Sequence, residues 1–127
     1  MDSGNKPKIL IVEDDKHYAE SLAKVLSGAG HDVEIFLVDF EMQKIDSIVS
    51  TALNQKDLVL LDHSFGDYFI WFTGQDVMRA LSQHAKRPKV ISISLSERDY
   101  ADANFDSKHK VDANPNLVRK LLELVGK

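Results

Sequence analysis

The sequence predicts an α/β domain built on a doubly wound parallel sheet, and three observations point there. Lys8 to Val12 and Asp57 to Asp62 each contain four consecutive apolar residues with no polar position alternating among them. Such runs read as strands covered on both faces, as in the middle of a parallel sheet. Segments of helical periodicity alternate with the strand patterns, which implies βαβ units joined by right-handed crossovers. The length, 127 residues with 43% hydrophobic and 28% charged content, suits one globular domain with one real core.

The elements follow in order. Residues 1–7 are polar and read as a disordered lead-in, and 8–127 as a single domain. Lys8 to Val12 is the first strand and runs into Glu13, Asp14 and Asp15. From Lys16 to Ser27 the period changes, with Tyr18, Leu22, Val25 and Leu26 on one helical face. Asp14 or Asp15 can cap its start and Gly28 or Gly30 its end. Val33 to Val38 is a strand. Asp39 then caps a helix whose stripe is Phe40, Ile45, Ile48, Val49, Ala52 and Leu53. The Asp57–Asp62 strand follows, and Thr73 caps a helix holding Val77, Met78 and Leu81. Val90 to Ser94 is the fourth strand. Asn114-Pro115 is a cap followed by Pro at the first helical position. The inner face of that last helix is Leu117, Val118, Leu121, Leu122 and Val125, and Gly126 ends it.

Composition excludes several classes. There is no cysteine, hence no disulfide framework, thiolate chemistry or Cys metal site. No apolar run approaches the roughly 20 residues needed to span a bilayer, and no signal segment opens the chain, so no membrane role and a cytoplasmic location are expected. A formal charge of −4 argues against nucleic acid as a partner.

A buried strand that ends on an acid places a carboxylate at the carboxyl edge of the sheet, where open α/β folds bind ligands. Two strands do so here. The run Ile-Leu-Ile-Val-Glu13-Asp14-Asp15, Asp62 closing the third strand, Ser94 closing the fourth and the late Lys108 together resemble a response-regulator receiver domain. The resemblance covers Lys8 to Val125. It implies a CheY-like, flavodoxin-like fold with strand order 2-1-3-4-5 and the phosphoacceptor chemistry of two-component phosphorelay signalling. On that resemblance Asp62 is phosphoacceptor and metal ligand, Asp14 a direct Mg²⁺ ligand, Glu13 a ligand through water, and the backbone carbonyl of Ser64 the remaining protein ligand. Ser94 would hydrogen-bond a phosphoryl oxygen and Lys108 would pair with another. Lys110 competes for the Lys108 role, which Phe105, three residues before Lys108 at the family's aromatic switch position, favours. The Phe105 ring would turn inward as Ser94 moves. The chemistry suits these residue types, because a hard divalent cation takes oxygen ligands and neutralises an incoming phosphoryl group.

Blander readings compete. Acids after strands often only cap the next helix, and Asp14 or Asp15 taken singly could do just that, while Asp62 alone could be a turn residue. Jointly, at the ends of two neighbouring buried strands, they favour a cation and phosphate site. His17 and His63 lie near the acids, but two histidines without a further spaced ligand make a poor zinc motif.

The sequence also departs from the receiver pattern. Gly66 stands where the family has Pro, and the Gly that should open the next helix is Gly74, several residues late. The added stretch contains Tyr68, Phe69, Trp71 and Phe72, which could form a partner surface or fold down as extra core. Lys108 follows Ser94 by only 14 positions, about two helical turns too few for a full helix and strand. The fourth helix is therefore expected to be missing or reduced, with a weak fifth strand near Asn104 to Ser107. His109 replaces the family's Pro after the Lys, so no cis bond is expected there. The thinned sheet edge favours pairing with a second copy, a homodimer, or with a partner.

The reading that results is a stand-alone atypical receiver. It would accept a phosphoryl group on Asp62 from a histidine kinase or phosphotransfer protein and signal to a downstream protein partner. It would not be an enzyme beyond slow self-dephosphorylation. The alternative is a pseudo-receiver that binds partners without phosphate. An aspartate-nucleophile phosphatase of the haloacid dehalogenase type ranks last, since Ser64 stands where its acid should be. A flavodoxin-like FMN protein lacks its phosphate-cradling loop after the first strand.

Overall fold

A computed structural model describes residues 6–38, 45–65, 72–94, 96, 98–105 and 110–126. Five parallel strands form one sheet in the order β2-β1-β3-β4-β5: β1 (Lys8–Glu13), β2 (Asp32–Leu37), β3 (Leu58–Leu61), β4 (Lys89–Ser92) and β5 (Ala103–Asn104). The helices are α1 (Lys16–Gly28), α2 (Ile45–Leu53), α3 (Gly74–Leu81) and α4 (Pro115–Val125), with a 3₁₀ turn at Val111–Ala113. The order and the doubly wound architecture match the sequence expectation. Among the described residues no helix is long and apolar enough to cross a membrane.

The sheet divides two cores, and strand alternation assigns residues to them. Ile9, Ile11, Leu58, Leu60, Ile91 and Ile93 pack on the α1–α4 side with Tyr18, Leu22, Leu26, Leu121 and Val125. Leu10, Val12, Val59, Leu61 and Val90 pack on the α2–α3 side with Ile48, Ala52, Val77 and Leu81. The unbroken apolar runs are the consequence, since β1 and β3 must feed both cores.

The caps are those the side chains can make. Asp15 accepts a hydrogen bond from the Tyr18 N–H and starts α1. Asp76 accepts from the Thr73 N–H at 2.8 Å across the first turn of α3. Asn114 accepts from the N–H groups of Asn116 and Leu117, and Pro115 occupies the first turn where a missing N–H costs nothing. The expected cap Asp39 and the apolar Phe40 lie outside the described residues.

The largest departure is between β4 and β5. Among the described residues this connection holds no helix, only a turn at Asp99–Tyr100, so the fourth receiver helix is absent there. The fifth strand is two residues long and starts at Ala103, one residue before the expected span. A charged clamp holds it in place. Asp102 receives two hydrogen bonds from Arg87 at 2.8 and 3.0 Å and a third from the Val90 N–H at 2.7 Å. Its own N–H donates to the Val90 carbonyl at 2.9 Å. A carboxylate thus does at the start of β5 what a longer ladder would do elsewhere. Tyr100 and Ala101 lie partly buried against the α2–α3 core, over ground a helix would otherwise cover.

Candidate functional site: a carboxylate cluster at the carboxyl edge

Pairing brings the acids together. Val12 is the register partner of Leu61, and the Asp62 N–H donates to the Val12 carbonyl at 3.1 Å. One step further, Glu13 stands level with Asp62 at the ends of adjacent strands. Glu13 and Asp62 are buried, at 0% and 2% exposure, while Asp14 is half-buried. Oxygens of Glu13, Asp14 and Asp62 all lie within 4.8 Å of one another.

Backbone amides hold these carboxylates in place. Glu13 Oε1 accepts from the N–H groups of Asp14 and Asp15, at 3.0 and 3.2 Å. Asp62 Oδ1 accepts from the His63 N–H at 2.9 Å. The Tyr18 phenol of α1 lies close by. Burial raises its pKa, and the charges of Glu13, Asp62 and Asp15 raise it further. Three carboxylates at this spacing repel one another and form an all-oxygen donor set, which suits a hard divalent cation such as Mg²⁺. Ser64, the expected carbonyl ligand, is exposed two residues past Asp62.

Gly74 supports the floor of this site. Its N–H donates to the His63 carbonyl at 2.8 Å. A Cβ there would fall 2.1 Å from the Asp62 carbonyl oxygen and 3.0 Å from the His63 Cα. Only a residue without a side chain lets α3 start this close to the strand end. The late glycine thus sits beside Asp62. The described ends of the inserted stretch, Phe65 and Phe72, are buried and meet edge to face at 5.5 Å between ring centroids. Phe72 therefore belongs to the core and cannot offer a partner surface. Tyr68, Phe69 and Trp71 lie outside the described residues.

Ser94 lies two residues past the end of β4, at the same edge of the sheet. Leu61 pairs with Ser92, so the next level sets Ile93 beside Asp62, and Ile93 packs in the same core as Leu60 and Ile91. Ser94 falls level with His63, on the face of Ser92, to which its hydroxyl is bonded at 3.0 Å. That hydroxyl also donates to the Ser96 carbonyl at 2.8 Å and accepts from Arg98 Nε at 3.3 Å. The Phe105 side chain is fully buried in the α1–α4 core. Lys108 and His109 lie outside the described residues. Lys110 lines a cleft with Asp15, Tyr18, Ser21 and Asp112.

A second polar group, not anticipated from the sequence, lies on the α3 side of the same edge. His63 Nδ1 and the Tyr100 hydroxyl are 3.0 Å apart. With Gln75, Arg98, Asp99 and Asn104 they line a recess of about 410 Å³. Burial lowers the His63 pKa and the Arg98 charge lowers it further, against opposing effects of Asp62 and Asp76. Burial pushes the Tyr100 phenol up to about 12, with Arg98 opposing and Asp62 adding to the rise. No residue-type signature in the sequence marks this group, because the missing helix creates it.

The fold and the carboxylate edge together define a class: the chain has the fold of CheY-like response-regulator receiver domains. It superposes on the chemotaxis response regulator CheY4 of Vibrio cholerae with a TM-score of 0.70, at 16% identity, over 95% of this chain and 99% of that one. A receiver domain protein from Methanospirillum hungatei gives 0.67 at 21% identity, over 94% of each chain. A chain from the complex of the histidine kinase ThkA with the response regulator TrrA gives 0.67 at 18% identity, over 95% of this chain and 99% of that one. No family model and no curated protein matches the sequence.

Proposed function

We propose that the protein is a phosphoacceptor receiver in two-component signalling, with Asp62 as the phosphorylated residue. The observation that carries this is the convergence of Glu13, Asp14 and Asp62 at the ends of two paired strands, with their oxygens within 4.8 Å. Isolated helix caps would not require it.

In the proposed reaction an Asp62 carboxylate oxygen attacks the phosphorus of a phosphohistidine or a small acyl phosphate. A P–O bond to Asp62 forms as the bond to the imidazole or acyl oxygen breaks, and the leaving group departs with that electron pair. Asp14 and Asp62, with Glu13 and the Ser64 carbonyl, would hold Mg²⁺, and that ion would supply charge neutralisation for the phosphoryl oxygens. The chain's own part is to hold Asp62 through the His63 N–H and to set its backbone against Gly74. Lys108 is the proposed further cation. A histidine kinase or phosphotransfer protein is the donor class, in keeping with the solved ThkA–TrrA complex of the same fold. Output then runs through protein contacts from a cytoplasmic domain.

Incubation with acetyl phosphate and Mg²⁺ tests the reading by intact mass. The chain should gain one phosphoryl group and an Asp62→Asn variant none; a folded wild-type chain that gains none would refute it. One observation favours a second reading, a phosphate-independent interaction module: among the described residues no helix joins β4 to β5. A chain of that kind would show no Mg²⁺-dependent rise in melting temperature.

A further inference from the structure

We propose that Arg98 is an anion-binding residue at the mouth of the Asp62 site, holding oxygens of the phosphodonor and then of the phosphoryl group. This rests on the reading of Asp62 as phosphoacceptor.

The argument starts from what the guanidinium lacks. Among the described residues no carboxylate pairs with Arg98, whereas Arg79 and Arg87 each have one. Its one side-chain hydrogen bond uses Nε, to the Ser94 hydroxyl at 3.3 Å. A guanidinium carries five N–H donors in a planar fork that matches phosphate oxygens, so most of its donors remain for a ligand.

The position is also built. The Arg98 N–H donates to Asn104 Oδ1 at 2.7 Å, and Asn104 Nδ2 donates to the Arg98 carbonyl at 3.3 Å. Asn104 belongs to β5 and is the register partner of Ser92, so the arginine backbone is tied to the sheet rather than to a free loop. Its side chain lines the recess that begins at His63. The N–H of that residue holds Asp62 Oδ1, which ties the edge of the recess to the reacting carboxylate through one residue, although Asp62 itself does not line it. Asp62 itself sits among acids, and an incoming phosphoryl dianion adds more negative charge. A fixed cation on the open side lowers that repulsion. The Ser94 hydroxyl, expected to meet the phosphoryl group, accepts from Arg98 Nε, so the guanidinium stands beside it.

The test compares wild type, Arg98→Gln and Arg98→Lys as full chains. Two readouts are used: phosphorylation kinetics with acetyl phosphate in Mg²⁺, and binding of inorganic phosphate followed by amide chemical shifts. The expected result is a tenfold or greater rise in KM for acetyl phosphate in Arg98→Gln, with little change in kcat. Inorganic phosphate should weaken in parallel, Arg98→Lys should be intermediate, and melting temperature and Mg²⁺ affinity should not move. A KM and phosphate affinity within twofold of wild type would overturn the proposal and leave the Asp62 reading standing. Equal losses in both variants with a lowered melting temperature would also overturn it, since that is a scaffold effect. If wild type binds phosphate in an Arg98-dependent way but is never phosphorylated, the Asp62 reading fails and the anion site stands. If it does neither, both fail.

Discussion

Replacing Gly74 by alanine adds one methyl group at the point where α3 meets the Asp62 backbone. The new Cβ would lie 2.1 Å from the Asp62 carbonyl oxygen, about 1.3 Å inside the 3.4 Å at which ordinary contact begins. The opposing atoms are backbone, so no rotamer change relieves the clash. Overpacking of this kind costs about 1–3 kcal/mol. Loss of the Gly74 N–H bond to His63 adds about 1 kcal/mol, and alanine's better helix propensity returns up to about 1 kcal/mol. The net is a destabilisation of about 1–4 kcal/mol. At a urea m-value of about 1.5 kcal/mol/M the midpoint falls by about 0.7–2.7 M. Relief of the clash also shifts Asp62 relative to Glu13 and Asp14, so Mg²⁺ affinity should fall at least tenfold. Gly28 is the control: a Cβ there meets nothing within 4 Å at the end of α1, and Gly28→Ala should be neutral or up to about 1 kcal/mol stabilising. If Gly74→Ala matched wild type in urea midpoint and in Mg²⁺ affinity, the steric argument would be refuted.

Other outcomes follow from the same geometry. Removing one of three mutually repelling carboxylates by Asp62→Asn should raise metal-free stability by about 1–3 kcal/mol for each of its two neighbouring charges, taken near 5 Å away at an effective dielectric constant of about 20–80. The same variant should lose the Mg²⁺-dependent rise in melting temperature, which differential scanning calorimetry would show. Phe72→Ala should cost about 3–5 kcal/mol in urea unfolding, because a nearly fully buried ring is deleted. Asp102→Ala should cost about 2 kcal/mol, the value of charge-assisted bonds discounted for a clamp that is 26–32% exposed. The hydrogen bond from Arg87 and, after the opposing effect of burial, that from the Val90 N–H hold the Asp102 carboxyl below its usual 3.8. Its contribution is therefore complete above about pH 4 and lost as pH falls through the lowered folded value, a loss that Asp102→Ala should abolish in acid titrations of stability.

Much of this was legible in the sequence because the signals were local and redundant. Uninterrupted apolar runs can serve only strands that feed two cores, and β1 and β3 do so. Asn114-Pro115 admits few readings other than a helix start. The acids at the ends of β1 and β3 follow from parallel pairing alone. The end of β4 was harder. Ile91-Ser92-Ile93-Ser94 alternates strictly, so a one-residue slip exchanges which face carries the hydroxyls. Only the Leu61–Ser92 register decides it. β5 was misplaced by a residue because Asp102 and Arg87 hold it rather than apolar side chains. The buried state of Phe72 depends on Phe65, seven residues away across the inserted stretch. Arg98 and Tyr100 gained their surroundings from a missing helix, and no pattern announces what an absence exposes.

The account stands most directly on where the phosphoryl group goes. After incubation with acetyl phosphate and Mg²⁺, borohydride reduces an aspartyl phosphate to homoserine, and peptide mass spectrometry locates it. The account predicts that mark at position 62 alone, requiring Mg²⁺ and reduced in yield by Gly74→Ala. A mark at Asp14 or Asp15, or none in a folded chain, would contradict it.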